Sequence, residues 1–268
     1  DPTINPDGRD RHTQWANTYK GTPLVSDPRD AEHNEAWPRG RTNHYWFDLN
    51  RDWLLAINPE SQGKLAWYHQ WYPNVVTDFH EMGSQSTYFF EPMKANGSLD
   101  PIMPKDNYIK LNNLFATYFS KQLDSIGSLY FTKEVFDGTY PGYGSSYPDL
   151  QGGLGILFEQ ASSRGLKQKT DFGYITFPFT IRNQYVSSLA TVQAAVENAS
   201  ILRQYQRDFF KSGLERSAKS IIKAYTFKDL DKNKTKAFID KLIRHKIEIY
   251  QTAENSYVVP TEQKQYRM

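Results

Sequence analysis

The 268-residue chain contains no cysteine. That excludes disulfides and thiolate metal sites, so any metal bound here is held by His, Asp or Glu. Long hydrophobic runs are missing as well, and no apolar stretch could span a bilayer. No run of basic residues resembles a DNA-binding arm. With a formal net charge of +2, the charge balance points to neither nucleic acid nor an anionic membrane as a partner. Repeats and low-complexity tracts are absent. The chain shows no signal peptide and opens on Asp1-Pro2-Thr3-Ile4-Asn5-Pro6-Asp7-Gly8, which reads as a turn. We therefore expect an excised piece of a protein that is secreted or periplasmic in a bacterium, with its export signal lying elsewhere.

What is present suffices for a core. Apolar residues make up 38% and aromatics 15% of the chain, which sets it apart from disordered sequences. Its length allows one large domain, or a medium one with an appendage. Residues 1–45 are polar and rich in Asn, Asp, Arg, Gly and Pro, so they read as a long ordered loop of the kind that is usually functional. A brief extended piece is expected at Tyr45–Leu49. A helix is expected from Pro59 to Tyr72, with Asn58 as its cap and Glu60 in its first turn. The apolar, β-branched run at Asn74–Gly83 reads as a short buried strand ending at His80, and Gly155–Glu159 as another. Helical spacing covers Lys105–Ile126, closed by Gly127, and Phe179–Phe210 reads as one long helix or two with a break. Between them, 137–153 has the glycine, tyrosine and proline content of a mobile loop beside a binding surface.

The alternation of strands and helices predicts an α/β domain over 1–210, with a mostly parallel or mixed sheet flanked by helices. After residue 211 the character changes. Strands at Ala224–Phe227 and Lys246–Tyr250 flank a helix over Asn233–His245, with a third strand at Tyr257–Pro260. This reads as the start of a second β-α-β unit over 211–268.

Two strands thus end in ionisable residues, His80 and Glu159, where open α/β sheets bind ligands. Asp78 and Glu81 flank the histidine. Upstream lie Arg39, Arg41 and the Asn50-Arg51 pair, and an Arg beside an Asn can clamp a carboxylate through parallel planar donors plus an amide. The order Asn5-Pro6-Asp7-Gly8, Asp48-Leu49-Asn50-Arg51-Asp52-Trp53, His80 and Phe158-Glu159 resembles the zinc carboxypeptidases of the carboxypeptidase A type (peptidase family M14). The likeness covers about residues 1–205 and leaves the tail unexplained.

The resemblance implies a metallocarboxypeptidase that removes C-terminal residues from peptides. It makes His80 the last zinc ligand and Asn50 with Arg51 the holders of the substrate's terminal carboxylate. Glu159 becomes the base that deprotonates the attacking water and later protonates the leaving amine. Arg41, or else Arg39, would stabilise the oxyanion. Tyr140, with Tyr143 as its competitor, would cap the substrate.

The family's first two zinc ligands come from a His-x-x-Glu motif upstream of Asn-Pro-Asp-Gly. No such motif precedes Asn5, and His33-Asn34-Glu35 has the wrong spacing on the wrong side of the turn. The expectation is therefore a part of the catalytic domain, inactive alone, whose remaining ligands lie on missing sequence. Other readings are a non-catalytic carboxylate-binding or peptide-binding pseudoenzyme and an amidase acting on cell-wall peptides. Glycan processing by a carboxylate pair such as Glu81 and Glu159 is a further alternative. If Glu81 points into the pocket, it favours basic or amino-bearing substrates.

Overall fold

The computed structural model describes residues 3–95 and 98–268. Asp1 and Pro2 of the expected opening turn, and Asn96 and Gly97 of the loop after the His80 strand, lie outside the described residues. The two apolar runs with chemistry at their ends do form strands, β1 (Val75–Met82) and β3 (Leu154–Ala161). They pair in parallel, with Phe79 opposite Phe158 and His80 opposite Glu159. A short β2 (Tyr88–Phe90) runs antiparallel to β3 on its other side, giving the order β1-β3-β2. The sheet is therefore mixed: β1–β3 is its one parallel pair among the described residues.

Alternation along a strand sends successive side chains to opposite faces. One face carries Phe79 and Phe158, stacked at 4.5 Å. It is covered by α3 (Asn113–Ser125), α4 (Phe177–Glu197) and α5 (Ala199–Lys219), whose Phe115, Phe119, Ala190, Ala194, Leu202 and Phe209 join the core. Burying each large apolar side chain there contributes about 1.5–3 kcal/mol. On the other face Val76 meets Trp53, Leu65, Tyr68 and Tyr147, with α2 (Pro59–Trp71) as the covering helix. The C-terminal ends of that face are left to Asp78, His80 and Glu159.

Several expectations are corrected. Residues 1–45 are not all loop, because α1 runs from Pro6 to Tyr19. Asn-Pro-Asp-Gly serves there as a helix start: the Asn5 side chain accepts a bond from the Gly8 amide at 3.0 Å, and Pro6 takes the first turn, where its missing N–H costs nothing. Tyr45–Leu49 forms no strand; a 3₁₀ turn follows at Leu49–Arg51. Asn58 precedes α2 without capping it through its side chain, which instead donates to Asp52 at 2.8 Å. The expected helix over Lys105–Ile126 begins with a π-helical turn at Asn107–Asn112. Of the two readings of Phe179–Phe210, the one with a break holds, at Asn198 between α4 and α5; its end is corrected, since α5 continues past residue 211 to Lys219. A hairpin, β4 (Lys167–Thr170) with β5 (Gly173–Thr176), was not foreseen.

In the tail, β6 (Ala224–Lys228), α6 (Lys232–Arg244), β7 (Tyr250–Ala253) and β8 (Ser256–Pro260) form a sheet of order β6-β8-β7. Its middle strand is antiparallel to both neighbours. Lys246–Ile249 is not strand. Lys246 takes φ of 62° and the Ile247 amide bonds back to the Leu242 carbonyl, so this alternating run closes α6 instead. Six α-helices and small mixed or antiparallel sheets make the described residues an α/β structure. Among the described residues no helix is long and apolar enough to cross a membrane.

Candidate active site

His80 and Glu159 sit side by side because β1 and β3 are parallel and in register. Asp78 shares the His80 face two residues earlier. His80 Nε2 lies 2.6 Å from Asp78 Oδ1, a distance at which the imidazole N–H donates to the carboxylate. The other ring nitrogen, Nδ1, is 3.3 Å from Arg41 Nη1 and accepts from the guanidinium. Asn50 closes the inner side: its Nδ2 is 3.0 Å from Asp78 Oδ2 and 2.9 Å from His80 Nε2, while its Oδ1 accepts from the Gly144 amide at 2.8 Å. The Asn50 amide is thus spent within the protein. Asp48 accepts from the Asn50 backbone and from Arg41 Nε, both at 2.9 Å, and so fixes the arginine relative to the clamp.

The charges bias one another. Burial alone would raise the Asp78 carboxyl, but bonds from His80 and Asn50, with Lys64 nearby, hold it below the usual carboxylate range. Burial alone would likewise depress His80, yet Asp78 and Glu159 outweigh it and raise the imidazole above its ordinary value. Burial pushes the Glu159 carboxyl up to about 7; His80 and Arg41 pull against it, while Asp78 and Glu81 push the same way. A carboxyl titrating there can both take and return a proton near neutral pH. Lys64, half-buried with its ammonium 3.8 Å from the centre of the Trp53 ring, is lowered by burial to about 8.

A cavity of about 290 Å³ gathers Arg41, Arg51, His80, Tyr143 and Glu159. Asn50, Asp78 and Glu81 also line it, and a neighbouring cavity of about 640 Å³ shares Arg41, Asn50, Asp78 and His80. Arg39 is elsewhere: it lines a separate cavity with Glu35 and Gln168. Of the two tyrosines, Tyr143 faces the site, with the Arg51 guanidinium 4.4 Å from its ring centre. Tyr140 stands behind it, ring to ring at 5.1 Å, and its hydroxyl donates to the Arg51 carbonyl at 3.0 Å. Glu81 does line the cavity and accepts from the Ser162 hydroxyl at 2.8 Å. Sequence reading gave Asp78 no firm role, although its i, i+2 relation to His80 on a strand carries that signal. Lys64 had none.

The zinc implied by the resemblance can be tested against the donors present. His80 fits one ligand's share: a carboxylate on one ring nitrogen orients the other toward a metal. Among the described residues, however, no group of three or more His, Asp or Glu is arranged to hold a metal. One His-x-x-Glu does occur downstream, at His245-Lys246-Ile247-Glu248. Both ring nitrogens of that histidine are taken, by the Tyr147 hydroxyl and the Leu54 carbonyl. The residues present therefore do not by themselves fit a zinc site, and no step below is routed through one. No family model matches the chain, and neither the curated proteins nor the solved structures contain a match to it.

Proposed function

We propose that this chain is part of a metallocarboxypeptidase of the carboxypeptidase A type, and that the cavity beside His80 receives the C-terminal end of a peptide. The observation that carries this reading is the convergence of Arg41, Arg51, His80 and Glu159 on one cavity of about 290 Å³. Arg51 is the anchor for the terminal carboxylate, since its guanidinium is exposed at the cavity while its Nη1 bonds to the Asn50 carbonyl at 3.1 Å. Asn50 acts by holding the loop to Asp78 and Gly144. Glu159 accepts the proton of the attacking water and returns it to the departing amine. Arg41 meets the negative charge that develops on the carbonyl oxygen. Zinc belongs to this reading only with two further ligands from outside the described residues.

The test is release of C-terminal amino acids from peptides by the parent protein. Glu159→Gln is expected to cut release by about 10²–10⁴ with peptide binding retained. Release that survives the substitution overturns the mechanism. A second reading, a non-catalytic binder of peptide C-termini, is favoured by both ring nitrogens of His80 having partners within the chain, Asp78 and Arg41. It predicts binding that depends on Arg51, with no release in either form.

A further inference from the structure

Among the contacts that join the tail beyond α5 to the rest of the chain is a buried row of polar groups. His245, at the C-terminal end of α6, is 2% exposed. Its Nε2 lies 2.7 Å from the Leu54 carbonyl oxygen, so that nitrogen carries a proton and donates. Its Nδ1 must then accept, and the Tyr147 hydroxyl donates to it at 2.9 Å. The Tyr147 oxygen in turn accepts from His69 Nε2 on α2, at 3.0 Å. The chain of bonds runs in one direction: it sets His245 as the Nε2–H tautomer, while His69 donates through Nε2 and its buried Nδ1 has no hydrogen-bond partner among the described residues.

The two partners of His245, the Leu54 carbonyl that accepts from it and the Tyr147 hydroxyl that donates to it, belong to the two segments that carry the candidate substrate groups. Leu54 is three residues after Arg51. Neighbouring carbonyls are held the same way: Lys241 Nζ donates to the Leu55 carbonyl at 2.7 Å and Arg244 Nη1 to that of Ala56 at 3.4 Å. Tyr147 closes the loop that carries Tyr140 and Tyr143, with its amide bonded to the Tyr143 carbonyl at 3.0 Å. The segments are also tied to each other, by the Trp53 amide on the Gly142 carbonyl and the Gly144 amide on Asn50.

We propose that the C-terminal segment is a positioning element for the substrate cavity, with His245 as the positioning residue that locks the Asn50–Ala56 and Tyr140–Tyr147 segments into one geometry. Neither loop has regular structure long enough to hold itself, beyond short 3₁₀ turns at Leu49–Arg51 and Pro148–Gln151. A bond from one rigid ring to both removes their independent motion, which is what presenting Arg51 and Tyr143 at fixed spacing requires. Burial keeps both histidines neutral, His69 at about 4 and His245 below its ordinary value. Around the pair stand Lys241 and Arg244 at the end of α6, Lys246 just after it, Lys264 of the C-terminal segment, Tyr68 of α2 and Tyr72 at its C-cap.

The use of these loops for a carboxylate rests on the function proposed above; the clamp does not. Amide hydrogen exchange on the full chain tests the clamp, comparing wild type with His245→Ala and with Tyr147→Phe, which keeps the packed ring and removes only the linking hydroxyl. Both variants are expected to exchange about five- to tenfold faster over 50–56 and 142–147, with β1 and β3 unchanged. Unchanged exchange in those two segments overturns the proposal, whether or not β6–β8 loosen. Affinity for N-acetyl-leucine as a carboxylate probe is expected to weaken by a similar factor in both variants. If exchange responds but wild type does not bind the probe, the carboxylate reading fails and the clamp stands.

Discussion

Two histidine-centred networks lie on either side of the same loops, and one chemical difference separates them. At the ends of β1 and β3, His80 shares its proton with Asp78 and faces Glu159. Under the tail, His69 donates its proton to the Tyr147 hydroxyl, and that hydroxyl donates in turn to His245. A carboxylate neighbour stabilises the imidazolium, so His80 is raised, while burial pushes Glu159 up to about 7 against the pull of His80. A phenol offers no charge, so desolvation wins and both buried rings stay neutral, His69 at about 4. The first network can move protons. The second can only hold geometry.

That contrast can be broken or sharpened in several ways. The largest effect is expected from Glu159→Gln, a loss of about 10²–10⁴ in peptide hydrolysis by the parent protein, measured as amino acid release. On the structural side, Tyr147→Ala deletes a fully buried ring packed on Trp53 and Tyr68. It should lower unfolding stability by about 3–5 kcal/mol in denaturant titrations. Tyr147→Phe should cost about 1–3 kcal/mol, because His69 Nε2 and His245 Nδ1 then lose their partner while packing remains. A cost near zero would mean that the hydroxyl bonds do not matter.

The pH dependence follows with a definite sign. His69 and His245 are depressed in the folded chain, so unfolding takes up protons below their ordinary value of 6.5. Their docking is fully stable above about pH 6.5 and weakens as the pH falls toward 4, measurable as faster exchange at His245. His80 is raised, so its contribution has the opposite sense: full below 6.5 and lost as the pH rises through its folded value. Buried Asp149, raised to about 8 by burial, behaves like His80 in sign. Asp149→Asn is therefore expected to narrow the loss of stability between about pH 4 and 8, measured by denaturant titrations across that range. The smallest expected change is Asp78→Asn, which should lower the His80 titration without unfolding β1.

How much of this could be read from the sequence differs between the networks. His80 and Glu159 were legible because apolar β-branched runs fix strands, and strands fix where their last residues point. The Asn50-Arg51 pair and the two tyrosines were legible as residues but not in their contacts: the Asn50 amide bonds to Asp78, and Tyr143 rather than Tyr140 faces the cavity. Nothing local predicts those outcomes, since they depend on contacts between residues 28 or more apart in the chain. The start of α1 was misread because a turn and a capped helix use the same residues, and only the following ten decide between them. The histidine–tyrosine row was invisible for the same reason, as 78 and 98 residues separate its partners.

One measurement bears on the central contrast most directly: a titration of the full chain from pH 4 to 9 followed by nuclear magnetic resonance, observing the imidazole rings and the Glu159 carboxyl together. His80 is expected above 6.5, His69 near 4, His245 below 6.5 and Glu159 near 7. A Glu159 titrating near 4.5 with His80 no higher than His245 would contradict that contrast.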